Sequence, residues 1–439
     1  MTRRNYLKNI ILLIISVLFR QNAAVFAGTP VEYRLSNGLR IILEENSASQ
    51  VTCMSLFVPA GSIQETEADQ GIARFTEKSL FRVTRNHRDV RTEISSYGGE
   101  YASGVNQDFI FFSVTVGSAF SGPILAIYED VILNSEFSDS LVDAVRSEML
   151  AKIGDELQNP RVQMQSAFLQ SAFKVHPYRR LPFGSAETFR KLGTGDIRRY
   201  YENNFVPDNI VMVVTGRFER RSVVERLEKS LVSFRRKSAA RYEWLQEPSR
   251  TEPAFTVQTH TFPQPLAFVA VGWIAPSITN RATYAMDVAL EAIGIGESSR
   301  LNREIRSSMQ SVYTVWAEYR TPREPGYFLI QAICEPSVAD TVRRRVLHEI
   351  EILRDDSLTP SELARAKQMI TAMTAYSSEG ATDRAIYLGY WSTMAALDFA
   401  KSYADRIQAV TADDVQNTVR TFLKDDNSIS VILLPKKPR

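Results

Sequence analysis

The stretch Gly71-Ile-Ala-Arg-Phe-Thr-Glu-Lys-Ser-Leu-Phe81 decides how the rest of this chain is interpreted. Its large apolar side chains recur at roughly helical spacing, which predicts an amphipathic helix with one face against a core. Arg74, Glu77 and Lys78 fall on a different face of that helix. Charged groups at these spacings are neighbours on a helix, so this face is a candidate site.

The charged face has the spacing of a metal site but not its ligands. In an inverted zinc motif, His-x-x-Glu-His, two histidines one turn apart bind the metal and the glutamate activates water. Here Glu77 stands at the glutamate position, while both histidine positions hold cations, Arg74 and Lys78. Arginine offers no lone pair, and lysine binds metal only after losing its proton, so we expect no zinc. The alternative is an ordinary solvated charge cluster.

The stretch resembles the signature Gly-Leu-Ala-His-Phe-Leu-Glu-His-Met-Leu-Phe of the pitrilysin-type metallopeptidases, the family of insulinase and the mitochondrial processing peptidase. The downstream Gly98-Gly99 pair and the aromatic-rich run 107–116 also match that family. The resemblance implies that Arg74 and Lys78 stand in for the zinc-binding histidines and Glu77 for the general base.

The family also has a glutamate as third zinc ligand, some distance before an Asn-Pro pair. Aligned back from Asn159-Pro160, that position falls on Lys152, and a shift of register moves it to Glu148 or Glu156. With Lys152, all three ligand positions are cationic. We then expect a degenerate zinc site, in which side-chain cations around Glu77 replace the divalent ion.

Length and internal repetition predict two related domains. The chain has 439 residues, which exceeds the usual size of one core. One pattern occurs in both halves: an Asp followed by an apolar residue, then ten residues, then Asp-Asn directly before a predicted strand. It is formed by Asp196-Ile197 with Asp208-Asn209 and again by Asp414-Val415 with Asp426-Asn427. An identical spacing in both halves indicates a duplicated unit. The resemblance covers about residues 31–435 and implies two homologous domains that enclose a cleft.

The expected fold class is α+β, with two homologous α/β domains of mostly antiparallel strands and packed helices that form a clam-shell. We expect the N-terminal domain over 28–235, a linker over 236–256, and the C-terminal domain over 257–439. The linker is assigned where apolar periodicity fades into Arg, Lys, Glu, Ser and Pro. The formal net charge is only +2, and the folded part has no run of basic residues interleaved with aromatic ones. We therefore do not expect nucleic acid as a partner.

The second half carries an arginine and a tyrosine at a spacing that the family uses. After Ser298-Ser299-Arg300-Leu301, Arg306 is followed seven residues later by Tyr313, at the start of a predicted strand. The resemblance implies that this pair binds the substrate backbone and stabilises the oxyanion. A guanidinium and a phenol are donors that can be aimed at developing negative charge. The family usually has glycine where this chain has Gln310.

The N-terminus predicts export. Basic residues at Arg3, Arg4 and Lys8 precede an apolar run and then Ala23-Ala-Val-Phe-Ala27, which is typical of a secretory signal peptide over 1–27. The expected location is a bacterial periplasm, with no stable membrane insertion after cleavage. The alternative is an uncleaved anchor. Two cysteines cannot form a disulfide scaffold, and the prediction is two separate buried thiols.

These features together predict a subunit that retains half of an active site. In heteromers of this family one subunit carries the zinc helix and its partner carries the arginine and tyrosine. We therefore expect a non-catalytic subunit without its own cofactor, which supplies Arg306 and Tyr313 to peptide substrate. The expected partner is a homologous chain with an intact His-x-x-Glu-His motif and zinc. The competing interpretation is a non-enzymatic peptide-binding or scaffold protein of the same fold.

Overall fold

The computed structural model describes residues 28–86, 89–239, 242, 246–260, 265–377 and 379–436. The predicted signal peptide lies outside the described residues. Within the described part, no helix is both long enough and apolar enough to cross a membrane.

The first half is built on a six-stranded sheet with the order β1-β2-β6-β3-β5-β4. Its strands are β1 (Val31–Arg34), β2 (Arg40–Glu45), β3 (Val51–Val58), β4 (Glu100–Val105), β5 (Ile110–Gly117) and β6 (Val211–Gly216). All neighbouring strands are antiparallel except β2 and β6, which run parallel. Strands β1 and β2 form an antiparallel hairpin around the Asn37-Gly38 turn.

The structure describes eight α-helices in this half. They are α1 (Ile72–Ser79), α2 (Val90–Ser96), α3 (Ser121–Asn134), α4 (Asp139–Gln158), α5 (Pro160–Ala172), α6 (Ala186–Lys191), α7 (Thr194–Asn204) and α8 (Arg220–Ser230). The apolar face of α1 is buried through Ile72 and Phe75, as its spacing predicts. These side chains join a core that also contains Ile41, Leu43 and Met54 from the sheet.

Among the residues that the structure describes, the second half repeats the sheet of the first half from β2 onward, with five strands. Its order is β7-β11-β8-β10-β9, formed by β7 (Ala254–His260), β8 (Ala267–Ala275), β9 (Val312–Arg320), β10 (Gly326–Cys334) and β11 (Ile429–Pro435). The parallel pair is again β7 with β11, and the other pairs are antiparallel. This order matches β2-β6-β3-β5-β4 strand for strand, so the two halves have one topology.

The described helices of the second half are α9 (Ala282–Gly294), α10 (Ala339–Asp355), α11 (Pro360–Tyr376), α12 (Ala381–Met394), α13 (Leu397–Ala409) and α14 (Ala412–Phe422). The sequence predicted two domains joined by a linker, and two sheets with separate cores confirm the two-domain α+β architecture. The strand β7 begins at Ala254, inside the expected linker, whose bounds stay a prediction.

The two halves exchange helices. Helix α5 of the first half packs on β8, β10 and β11 through Met164, Phe168 and Leu169. Helix α12 of the second half packs on β2, β3 and β6 through Ala385, Leu388 and Trp391. Each sheet is therefore covered on one face by its own helices and on the other by a helix from the opposite half. The halves are held together by apolar packing as well as by the linker.

Both exchanges place a glycine against a phenylalanine ring. A Cβ added at Gly389 of α12 would lie 2.0 Å from the ring of Phe57 in β3. A Cβ added at Gly272 of β8 would lie 2.7 Å from the ring of Phe168 in α5. These distances leave no room for a methyl group, so the close approach of helix and sheet requires glycine at both positions.

We expect Gly389→Ala to destabilise the protein by about 1 to 3 kcal/mol, since the added methyl group overlaps Phe57 in a packed interface. The matched control is Gly154→Ala, because an added Cβ at this exposed position of α4 meets nothing within 4 Å. That control should gain about 0.5 to 1 kcal/mol from helix propensity. Urea unfolding of the two variants measures both effects, and equal stability changes would contradict the exchange of helices.

Candidate functional site

Helix α1 begins at a glycine that a buried carboxylate holds in place. Gly71 has φ +90°, in the left-handed region that glycine adopts without strain. The Glu65 carboxylate accepts hydrogen bonds from the backbone amides of Gly71 (2.8 Å) and Ala73 (3.1 Å), which satisfies free N–H groups at the start of the helix. Burial raises the pKa of Glu65 to about 7. The orientation of the charged face of α1 is therefore fixed at its first turn.

Arg74 makes a two-pronged ion pair with a glutamate on helix α4. Its two terminal nitrogens each lie 2.7 Å from an oxygen of Glu156. The Arg74 guanidinium also lies over the ring of Phe183, 5.5 Å from its centroid, and its side chain is only 14% exposed. Hydrogen bonds from Arg74 hold the pKa of Glu156 below its ordinary value. A bidentate arginine and carboxylate pair is among the stronger polar contacts in proteins.

Glu77 is buried against strand β4. Its side chain is 1% exposed and accepts a short hydrogen bond from the hydroxyl group of Ser103. The ammonium nitrogen of Lys78 lies 3.1 Å from the other Glu77 oxygen. The Glu77 carboxylate is thus shared between a cation on its own helix and a hydroxyl on the outermost strand of the sheet.

Lys152, the residue expected at the third position, does not contact Arg74. Its side chain is exposed, and Glu156, one turn later on α4, is the residue that contacts Arg74. Glu148, the other alternative, instead binds Arg82 at 2.7 Å. The cations therefore do not surround Glu77 as a single cluster. They form two pairs, because α4 presents a second carboxylate to Arg74 and leaves Glu77 to Lys78.

These residues do not fit a zinc ion. Zinc in proteins takes imidazole, thiolate or carboxylate ligands with free lone pairs. Arginine has none, and the carboxylates of Glu77 and Glu156 are already occupied by cations. Across the described ranges, no group of three or more His, Cys, Asp and Glu side chains is arranged to hold a metal. Both cysteines are buried free thiols, as predicted.

Arg306 and Tyr313 lie side by side on the second half. Arg306 belongs to a π-helical turn, Asn302–Ser307, and its Nε donates a hydrogen bond of 3.4 Å to the backbone carbonyl of Tyr313. Tyr313 lies in a β-bulge: Thr314 pairs with Ile333 and Val312 with Cys334, so Tyr313 has no partner in the register. Bulges and π-helical turns are frequent at functional sites because they change where a side chain points.

Both side chains of this pair are open to solvent. Tyr313 is 51% exposed and Arg306 is also exposed. Tyr313 belongs to β9, the outermost strand of the second sheet, and Arg306 lies next to it. The pair thus lies in the other half of the chain from Arg74, Glu77 and Lys78, which helix α1 carries. Two donors in contact with water are poor stabilisers of an oxyanion until a substrate or partner covers them.

An ion pair beneath this segment anchors it. Arg300 is 9% exposed, and its Nε and one terminal nitrogen donate to Glu362 of α11 at 2.7 and 3.0 Å. The hydrogen bonds from Arg300 lower the pKa of Glu362 to about 2. Sequence analysis singled out Arg300 but missed Glu362. The available signal was the capping box of Thr359 and Glu362 at the start of α11.

We expect Glu362→Gln to destabilise the chain at neutral pH by about 1 to 3 kcal/mol. The range lies between the effects of breaking a surface ion pair and a buried one, because the side chains of Arg300 and Glu362 are 11% and 19% exposed. The pKa of Glu362 is about 4.5 unfolded and about 2 folded. Its stabilisation is therefore fully present above pH 4.5 and is lost as the pH falls towards 2. Urea unfolding at pH 7 and pH 3 should show a smaller difference between wild type and variant at pH 3. A difference that grows at low pH would contradict this.

Sequence reasoning missed two other residues that shape the site on α1. Glu65 lies in an acidic loop without a fixed distance to the helix, so no spacing rule identifies it. Ser103 lies on β4 and reaches Glu77 only because β4 is packed beside α1. Neither contact has a signature in the sequence.

Comparisons with known proteins agree with this architecture. Residues 40–181 match the family model described as "Insulinase (Peptidase family M16)", and residues 191–370 match that described as "Peptidase M16 inactive domain". An "uncharacterized zinc protease" of Streptomyces coelicolor is 25% identical over 418 residues, 92% of this chain and 90% of the relative. The beta subunit of the mitochondrial-processing peptidase of Dictyostelium discoideum is 21% identical, over 89% of this chain and 86% of that protein.

Solved structures show the same fold. A protease from Helicobacter pylori superposes with a TM-score of 0.87 at 19% identity, over 93% of this chain and all of that one. A "peptidase M16 inactive domain" from Pseudomonas fluorescens superposes with a TM-score of 0.85 at 17% identity, over 94% and 99%. The two family models together span most of the chain, and the chain therefore belongs to the insulinase family of peptidases, M16.

Proposed function

We propose that this chain is the zinc-free subunit of a heteromeric zinc peptidase and contributes Arg306 and Tyr313 to an active site completed by a homologous partner. The partner supplies zinc and the general base from an intact His-x-x-Glu-His helix. The observation that carries the proposal is the juxtaposition of Arg306 with Tyr313 at a bulge of an outermost strand.

The ion pairs on the first half also support a function in which the partner, and not this chain, supplies the zinc and the general base. Arg74 neutralises Glu156, and Lys78 neutralises Glu77, so the surviving carboxylates are not free to bind metal or activate water. The chain alone should therefore not hydrolyse peptides. The basic and apolar N-terminus supports export, so the proposed location of the complex is a bacterial periplasm.

The exposure of the pair explains why a partner is needed. A guanidinium and a phenol stabilise an oxyanion strongly only in a site from which water is excluded. Tyr313 is half exposed in the single chain, so a second chain or a bound peptide must cover it. A homologous chain, which presents its zinc helix at the edge of its own sheet, has the complementary half of the chemistry.

The test is reconstitution with a homologue that carries the intact zinc motif, such as one encoded next to this chain. Hydrolysis of a quenched-fluorescent peptide library is measured for each chain alone and for the mixture, with zinc in every sample. We expect activity only in the mixture. Zinc-dependent hydrolysis by this chain alone would refute the proposal. Activity of the homologue alone, unchanged by this chain, would leave the peptide-binding or scaffold function instead.

A further inference from the structure

An arginine from the first half is stacked on the strand that carries Tyr313. Arg161, in the first turn of α5, lies over the ring of Trp316 in β9, 4.8 Å from its centroid. Trp316 follows Tyr313 by three residues on the same strand. Because a strand advances about 3.3 Å per residue, the stack lies about 10 Å further along β9. The contact joins the two halves within reach of the proposed substrate-binding pair.

The stack lies on the face of the second sheet that α5 covers. Trp316 is paired with Gln331 of β10. Its neighbours in sequence, Val315 and Ala317, point the other way, into the core of the second half. Trp316 is only partly buried and Arg161 is exposed, so a peptide in solution can reach both side chains.

The hydrogen-bond donors of this stack are unused. Within the described ranges, the Arg161 guanidinium forms no ion pair or hydrogen bond, and the indole N–H of Trp316 has no acceptor. The carboxylates nearest in sequence are already bound. Glu318, two residues beyond Trp316, pairs with Arg320. Glu156, five residues before Arg161, is held in the ion pair with helix α1.

A stacked guanidinium is suited to bind a carboxylate. The aromatic ring covers one face of the guanidinium and leaves its N–H groups free in the plane, where a carboxylate can accept two of them. The ring also fixes the orientation of the guanidinium before any ligand arrives. A basic side chain would be repelled at the same place. The stack therefore favours an acidic side chain.

We propose that the peptide substrate extends along β9 from Arg306 and Tyr313 to the stack of Arg161 on Trp316, and carries Asp or Glu where it reaches the stack. This inference rests on the proposed function, in which the carbonyl group of the cleaved bond lies at Arg306 and Tyr313. An extended peptide covers about 10 Å in three residues. The substrates are therefore peptides with an acidic residue about three positions from the cleaved bond.

The test uses a fluorogenic peptide that the reconstituted mixture cleaves. Each position within about four residues of the cleaved bond is changed in turn to Asp, Ala or Lys. At a position about three residues from the bond, kcat/KM should be about tenfold higher with Asp than with Ala, the effect of one hydrogen bond to a charged group, and lower still with Lys. Arg161→Ala should bring the ratio of the Asp and Ala peptides to about one. A defect of folding or assembly lowers both rates together and leaves this ratio unchanged.

Charge reversal provides the sharper comparison. Arg161→Glu should invert the preference, so that the Lys peptide is cleaved faster than the Asp peptide. The matched control is Arg198→Glu, at an exposed arginine of α7, which should keep the preference for Asp. Hydrolysis without a preference for an acid at any position, or a preference that survives Arg161→Glu, would overturn this inference and leave the proposed function standing.

Binding to this chain alone separates a failure of the inference from a failure of the proposed function. Two fluorescein-labelled peptide libraries, with Asp or Lys fixed at the central position, are titrated by anisotropy against the wild-type chain and the Arg161→Glu variant. If the mixture hydrolyses nothing but the wild type prefers the Asp library and the variant the Lys library, the proposed function fails and the acid-binding site remains. Absence of hydrolysis together with equal binding of the two libraries would overturn both.

Discussion

Replacing Arg74 and Lys78 with histidine should turn this chain into a zinc-binding protein. The double variant restores His-x-x-Glu-His on α1 and removes both cations that now neutralise its carboxylates. Glu156 then loses its bidentate partner and becomes available as the third ligand. Zinc content measured by mass spectrometry after dialysis should rise from below about 0.1 to about one ion per chain, as expected of a site with three protein ligands.

The third ligand can be tested in the same background. Adding Glu156→Gln should abolish the gained zinc, since an amide does not replace a carboxylate ligand. Adding Glu148→Gln is the matched control and should leave the zinc in place, because Glu148 binds Arg82 away from Arg74. If the double variant lost its zinc on addition of Glu148→Gln but kept it on addition of Glu156→Gln, Glu148 would be the third ligand, two helical turns before Glu156. A double variant that binds no zinc would contradict the idea that Arg74 stands where the metal once lay.

The register of α4 shows what sequence analysis can and cannot supply at this site. The stretch around Glu77 has a signature of fixed spacing, so Arg74, Glu77 and Lys78 were found from the sequence. The third position lies on another helix, and its spacing to the motif depends on loops that vary in length. The Asn159-Pro160 pair narrowed it to three residues one turn apart on α4. Only the packing of α4 on α1 shows that Glu156, and not Glu148, contacts Arg74, which makes Glu156 the candidate tested above.

The fold, like the site, was predictable from the sequence only where the pattern is local. The repeated spacing predicted two related halves, because a duplicated unit keeps its local pattern of strand and helix. The exchange of α5 and α12 could not be predicted, since an apolar helix face does not specify which sheet it covers.

Arg306→Ala should cost the reconstituted peptidase about two to three orders of magnitude in kcat/KM, the loss typical of removing one oxyanion donor. Tyr313→Phe, which removes only the hydroxyl group, should lower activity at least about tenfold. A loss confined to kcat would assign the donors to the transition state, whereas a rise in KM would assign them to substrate binding. Both variants are measured in the mixture with the zinc-bearing homologue, using a single fluorogenic peptide.

The matched control is Arg303→Ala, because Arg303 lies on the same π-helical turn and its side chain is 55% exposed. Its guanidinium binds Glu304 on its own turn, so its loss should leave activity within about twofold of wild type. Sedimentation of each mixture separates loss of chemistry from loss of assembly. Equal activities of the Arg306→Ala and Arg303→Ala variants in an intact complex would remove Arg306 from the site. The chain would then act through its fold alone, as a scaffold or peptide binder.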